Sequence, residues 1–469
     1  MPDRTRALVA ALLALQVGCH IAQPEGPPDI VLVLVDGLRA DPPGEVHAEA
    51  ALLKEARLDH PARFRKAYAQ SPSAFLGLHA LLTGRYPSAV PICTPSRAPA
   101  RDTVSCAQVP ADRAMLQEML AAYGYHTAFF EEEVSSRPDT AIGLSLEPEV
   151  GPLRGFEVQG KIGAEAWGAG EAPALEAWWR DHADAPRFVL VHGYLSSDTY
   201  LAACRLDRPL SGRPGEALFP AATRSPEGRA AIEAGYLDAA RAAGRLVGAL
   251  HEALEAGPGG RIFVLGSLFG ANLTHTTGVQ SVQLWCGTHG HLLERNLHVP
   301  LLVEGAGSSP REDEVVQLID LLPTAARAAG AAPPAGAQGR DLFGPAQEGA
   351  TAYAEYGDML ALRQGDELLS LRCFRHGGSS LDPVLTEEII QDQRHLRSTP
   401  ERAPLQPRCP TTLHDVERDY FQAEDLAQTE RAILLERYQR LVEIRSGPGA
   451  PAAIQGADGT PTQRRLTYW

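Results

Sequence analysis

Apolar residues follow two rhythms along this chain. Continuous short runs at Ile30 to Val35, Phe188 to Val191, Ile262 to Leu265 and Val299 to Val303 lack the alternation of a half-exposed strand. They predict buried strands of a mainly parallel sheet covered on both faces. The first run ends in Asp36-Gly37, so its carboxyl end is expected to open onto a site. The third follows the turn Gly257-Pro258-Gly259-Gly260. Between the runs lie segments of helical spacing, Met115 to Tyr123 and Tyr236 to Glu255, the latter with Leu237, Ala240, Val247, Leu250 and Leu254 on one face. Strands alternating with helices predict an α/β fold, a three-layer α/β/α sandwich over residues 29–330. Beyond Gly330, proline, glycine and polar residues increase and strand signals shorten, until a helix over Gln428 to Ile444 closes the pattern. A smaller C-terminal subdomain over 331–446 and a flexible tail over 447–469 are predicted.

The first residues carry a different signal. Arg4 and Arg6 precede an apolar stretch, Ala7 to Leu15, long enough for a signal-peptide core but too short to span a bilayer of about 30 Å. It ends in Leu15-Gln16-Val17-Gly18-Cys19, similar to a bacterial lipobox, although Gln16 stands where a lipobox usually has leucine. The expected product is a lipoprotein exported to the cell envelope, anchored through Cys19, with residues 20–28 as a tether. His20 in place of an aspartate favours the outer membrane. No other membrane contact is expected.

Charge removes one class of partner. With 43 basic and 58 acidic residues the formal charge is -15, opposite to the field a nucleic-acid partner needs. Of seven cysteines, Cys19 is assigned to the lipid and the rest form an even set in an oxidising compartment. Cys93 with Cys106 brackets a short polar loop, and Cys373 with Cys409 a Pro-rich excursion; Cys204 and Cys286 are left to pair by elimination. No CxxC or Cys/His cluster has zinc-ligand spacing.

Several segments, in order, resemble the sulfatases of the alkaline phosphatase superfamily across nearly the whole mature chain. They are PDIVLVLVDGLRAD (28–41), AYAQSPSAFLGLHALLTGRYPS (67–88), MLQEMLAAYGYHTAFF (115–130), FVLVHGYLSSDTY (188–200), RIFVLGSLFG (261–270), HGHLLERNLHVPLL (289–302), VVQLIDLLPTAARAAG (315–330) and HDVERDYFQAEDLA (414–427). The resemblance implies the sulfatase fold with a C-terminal subdomain.

The chemistry that the resemblance implies is absent from these same segments. A family sulfatase carries a Cys or Ser, matured to formylglycine, in a C/S-x-P-S-R pattern shortly before LLTG, with calcium and basic side chains around the sulfate. Anchored on Leu81-Leu82-Thr83-Gly84, this chain has Ala74 at the nucleophile, Leu76 and Gly77 for Pro and Ser, and Leu78 at the arginine. The paired aspartates after the first strand have become Asp36-Gly37, and the later pair Leu268-Phe269. Asp36 is thus a vestigial metal position, where calcium would want six to eight oxygens. Glu132 replaces a lysine within an acidic triplet expected to repel an anion, and Ser197 replaces a histidine. His289 and His291 keep a plausible polar lining for binding. Leu78, Leu268 and Phe269 are expected to meet if the old pocket has been filled.

Two readings therefore stand. One is a catalytically inactive envelope protein without cofactor, retained for binding or scaffolding. The other is an active sulfuric or phosphoric ester hydrolase with calcium, using Ser73 one residue out of register, or Cys93. Cys93-Thr94-Pro95-Ser96-Arg97 spells the maturation pattern, but Pro99 and the absence of a following LLTG helix read as a loop.

Overall fold

The structure is a computed structural model that describes residues 26–40, 47–89, 114–133, 152–195, 226–271, 292–356, 359–372, 383–400, 403–420 and 422–447. Strand β1 (Asp29–Asp36) is buried from end to end. It lies between two parallel partners, β6 (Arg187–Tyr194) and β7 (Arg261–Gly266). A strand paired on both sides and covered on both faces leaves room for polar side chains only at its ends. The sheet has seven strands in the order β2-β8-β7-β1-β6-β4-β5, adding β2 (Ala62–Arg63), β4 (His126–Glu133), β5 (Val158–Gly163) and β8 (Leu301–Glu304). Strand β4 pairs in parallel with both β5 and β6, whereas β8 pairs antiparallel with both β7 and β2.

The run Val299 to Val303 is therefore shorter and opposite in direction to its neighbours. Pro300 has no amide to give to a ladder, and the Val299 amide instead donates to the Ala67 carbonyl at 3.0 Å.

Alternate residues of the strands sort into two cores. Ile30, Leu32 and Leu34 join Phe188, Leu190, Ile262 and Val264 on one face. Val31, Val33 and Val35 join Val189, Val191, Phe263 and Leu265 on the other. The second face is covered by α1 (Ala48–Ala56), α4 (Ala164–Ala169), α5 (Pro173–Asp181) and α6 (Pro226–Ala253). The first is covered by α2 (Ala74–Thr83), α3 (Leu116–Ala122) and α8 (Leu321–Ala328), with the short α7 (Glu294–Leu297) nearby. This is the predicted three-layer sandwich. Helix α6 begins at Pro226 rather than Tyr236. Proline costs nothing in a first turn, and Ile232 and Tyr236 continue the buried stripe.

At the amino end of the sheet, the buried Arg187 guanidinium grips Asp29, with Nη2 2.6 Å from Oδ2, and stacks 3.9 Å over the Trp179 ring. Outside the main sheet, β3 (Lys66–Tyr68) pairs in parallel with β9 (Val315–Gln317), and a four-stranded antiparallel sheet follows. Its strands are β10 (Thr351–Tyr356), β11 (Met359–Gln364), β12 (Glu367–Arg372) and β13 (Thr411–Asp415). Helices α9 (Pro383–Ser398) and α10 (Arg431–Ser446) pack on it in a third core, which reaches back to Ala80 and Tyr86 beside α2. A buried ion pair, Arg445 Nη1 to Glu355 Oε2 at 3.3 Å, secures α10.

Candidate functional site

The segment that the sequence singled out is a helix followed by a tightly specified stop. Every residue of α2, from Ala74 to Thr83, is buried. Thr83 donates its hydroxyl to the His79 carbonyl at 2.6 Å, and Gly84 ends the helix at φ 62, its amide donating to the Ala80 and Leu81 carbonyls. Left-handed backbone at a helix end is glycine's province. The Leu-Leu-Thr-Gly signature thus has a structural explanation independent of any chemistry.

At the other end of α2, Ser73 is the extended N-cap residue; it is buried, and its side chain makes no cap hydrogen bond. Ala74 opens the helix with no exposed surface. Gly77 faces the next element: a Cβ there would stand 3.3 Å from the Leu268 Cβ. Ala74, Leu76, Leu78, Leu268 and Phe269 belong to one apolar cluster, all buried. His79 is neutral here, because burial pulls its imidazole down to about 4 against a smaller lift from its bond to the Phe75 carbonyl.

Behind Leu268 stands the polar end of the sheet. The Asp36 carboxylate is fully buried; Oδ1 accepts the Leu268 amide at 3.0 Å and Oδ2 accepts His192 Nε2 at 2.8 Å. His192 Nδ1 faces Glu131 Oε1 at 3.7 Å, an ion-pair separation beyond hydrogen-bond reach. Glu131 Oε2 pairs with the half-exposed Lys161 ammonium, and Glu132 Oε2 accepts the Tyr194 amide at 2.8 Å. Register builds this chain of charges. His192 lies opposite Leu34 on one side and Glu131 on the other, and Glu131 lies opposite Lys161. On the far side, α6 pins the turn after β1, with the Tyr236 hydroxyl donating to the Gly37 carbonyl at 2.7 Å.

Burial alone would lower the His192 imidazole, but Asp36 and then Glu131 outweigh it and raise it to about 9. Burial would raise Glu131, and His192 and Lys161 reverse that, so its carboxyl sits below the ordinary range. Burial first, then the carboxylates of Asp36, Glu131 and Glu132, keep the Tyr194 phenol protonated well beyond its ordinary range.

The described donors do not fit a hard cation. Both oxygens of Asp36 are engaged, Leu268 and Phe269 offer only apolar side chains, and among the described residues no group of three or more His, Cys, Asp or Glu side chains is arranged to hold a metal ion. The acidic triplet also needs correction. Glu131 and Glu132 are not exposed charges beside a pocket: both are buried and bonded into the sheet end, because strand register supplies partners from β5 and β6. His192, Glu131 and Tyr194 were not assigned from the sequence. The available signal was polar residues closing apolar strands of a parallel sheet, where such ends converge.

Other expected residues lie outside the described ones: Cys19, Cys93, Cys106, Ser197, Cys204, Cys286, His289, His291 and Cys373. Cys409 is buried and disulfide-bonded.

A mainly parallel sheet with helices on both faces and an antiparallel sheet appended at the C-terminus define a fold of the sulfatase type. Solved structures bear this out. A 2-O GAG sulfatase superposes with a TM-score of 0.59 at 16% identity, covering 90% of this chain and 93% of that one. A candidate sulfatase from Bacteroides thetaiotaomicron gives 0.60 at 16% identity, covering 90% and 92%. The phosphonate monoester hydrolase of Agrobacterium radiobacter gives 0.56 at 14% identity, covering 94% and 100%. No family model and no curated protein matches the sequence. Among the described residues no helix is long and apolar enough to cross a membrane.

Proposed function

We propose that this chain is a sulfatase-fold protein of the bacterial cell envelope that does not hydrolyse esters and is retained for binding or scaffolding. The observation that carries the reading is Ala74. The residue at the nucleophile position has no reactive atom and is buried in one apolar cluster with Leu76, Leu78, Leu268 and Phe269. The described side chains of that cluster are apolar, and placing an ester's charge among them without a partner would cost several kcal/mol, of order ~5. The absence of a metal cofactor belongs to the same reading. Delivery to the outer membrane through a lipid on Cys19 is the localisation we propose, supported by the N-terminal sequence.

The test is direct. Protein purified from a host that matures sulfatases is incubated with aryl sulfate, phosphate and phosphonate esters, and the peptide containing Cys93 is weighed by mass spectrometry. The expected result is no turnover and no formylglycine. Turnover abolished by Ser73→Ala, or an aldehyde at Cys93, would replace this reading with that of an ester hydrolase. Labelled palmitate that is incorporated by the native chain and absent from Cys19→Ala is the expected outcome for the anchor.

A further inference from the structure

The antiparallel sheet carries a covalent feature at its outer strand. Cys409 is buried and disulfide-bonded, and it joins the third core with Leu369, Leu371 and Leu413. It stands just before β13, where the segment that leaves β12 and carries α9 returns to the sheet. The ladder between β12 and β13 is regular: Leu369 lies opposite Leu413, Ser370 opposite Thr412 and Leu371 opposite Thr411. It then takes one more step, the Arg372 amide donating to the Pro410 carbonyl at 2.9 Å. Proline has no N–H to give in return, so that rung holds a single hydrogen bond.

We propose that Cys409 is joined to Cys373 as a covalent rung one step past that hydrogen bond, and that the bond staples the α9 excursion onto the third core. Cys373 lies outside the described residues, and its assignment follows from its neighbours. One residue forward from Arg372 and one back from Pro410 brings positions 373 and 409 opposite each other. Antiparallel rungs alternate between hydrogen-bonded and open pairs, and the rung of Arg372 and Pro410 is hydrogen-bonded. The next is an open one, with Cα atoms about 4.5 Å apart, inside the range of about 4.4–6.8 Å that a disulfide spans. Parity agrees. Side chains alternate faces along a strand, so position 373 continues the face of Leu369 and Leu371, the face that Cys409 shares.

The surroundings of Cys409 define what the bond fixes. The buried Asp392 of α9 accepts the Arg408 amide at 2.7 Å through Oδ1 and the Cys409 amide at 3.3 Å through Oδ2, which also accepts the Tyr438 hydroxyl of α10 at 3.1 Å. Thr411 Oγ1 donates to the Cys409 carbonyl at 2.6 Å. The returning end of the excursion is thus held by both helices, and a bond from Cys409 to Cys373 holds the departing end at the same point. Closing such a loop stabilises chiefly by restricting the unfolded chain, and the bond persists only in an oxidising compartment. Completing the third core therefore calls for export, whatever becomes of the N-terminal segment.

The experiment uses the full chain, purified without reductant from an oxidising compartment, alkylated, digested with trypsin and weighed by mass spectrometry. The expected species joins residues 373–375 to residues 409–418 through one disulfide. Cys409 linked to Cys93, Cys106, Cys204 or Cys286, or alkylated as a free thiol, would overturn the proposal. Cys373→Ser and Cys409→Ser are each expected to lower the unfolding midpoint by about 4 °C, and the double variant by no more than either alone. Effects that add would refute the staple. If a variant does not fold, the digest of the native chain decides alone. Ester turnover moves none of these readouts, so this inference and the functional reading stand or fall separately.

Discussion

Raising the pH should remove a proton that the folded chain holds more tightly than the unfolded one. The group is His192, ordinarily half-protonated at 6.5 and lifted to about 9, against the pull of burial, by Asp36 and Glu131. A group raised in the folded state contributes stability that is complete below its ordinary value and is lost as pH climbs through the folded value. At about 1.4 kcal/mol per pH unit, the gap is worth roughly 3 kcal/mol, nearly all of it gone by about pH 10. In a chain of this size that is a midpoint shift of about 3 °C. Glu131 works in the opposite sense: its lowered carboxyl contributes above the ordinary carboxylate range and its share is lost as pH falls through the folded value. Greatest benefit from the pair therefore lies between about pH 5 and pH 6.5. The assay is scanning fluorimetry of the native chain and His192→Gln in parallel from about pH 6 to about pH 10, reading the difference between them so that other titrations cancel. The difference should shrink toward zero as pH rises. A difference that stays constant or widens would refute the reasoning, since it would mean that His192 acts by packing alone.

Four further outcomes are expected. Gly84→Ala places a Cβ at φ 62 and 3.2 Å from Leu322 Cβ, and should cost about 1–2 kcal/mol in denaturant titration; a neutral result would remove the cap's role. Asp29→Ala strands the buried Arg187 guanidinium, and a loss of about 3–5 kcal/mol is expected against under ~1 for a surface pair. Ala74→Cys should yield neither formylglycine nor ester turnover, whereas Leu78→Ala should lose about 2–5 kcal/mol, the behaviour of core and not of a vacant pocket.

What the sequence disclosed about the fold depended on how local the cause was. The runs at Ile30, Phe188 and Ile262 became β1, β6 and β7 because a strand buried on both faces admits few polar residues. The direction of β8 was not legible, since it lies in the pairing with β7 and β2, which a short apolar run does not encode. The start of α6 was obscured by Pro226, Gly228 and Gly235, weak helix signals overridden by packing. At the site, Ala74 and Asp36 were found through their motifs. His192 was not, because its partner Asp36 is 156 residues away and only register joins them. Glu131 and Glu132 read as charges that would repel an anion for the same reason, their partners being supplied by neighbouring strands.

The loop after β7 is tied to the turn after β1 through its main chain. The Gly37 amide donates to the Phe269 carbonyl and the Ala271 amide to the Gly37 carbonyl, each at 3.0 Å, while Gly270 donates to the Asn296 carbonyl at 2.9 Å. Acidic side chains placed at Leu268 and Phe269 would therefore have to be accommodated by this main chain as it stands. An aspartate replacing Leu268 would enter a compartment shared with Ala74, Leu76 and Leu78 while its own amide still held Asp36. Its charge would find no partner among those side chains, so stability would fall before any new chemistry appeared.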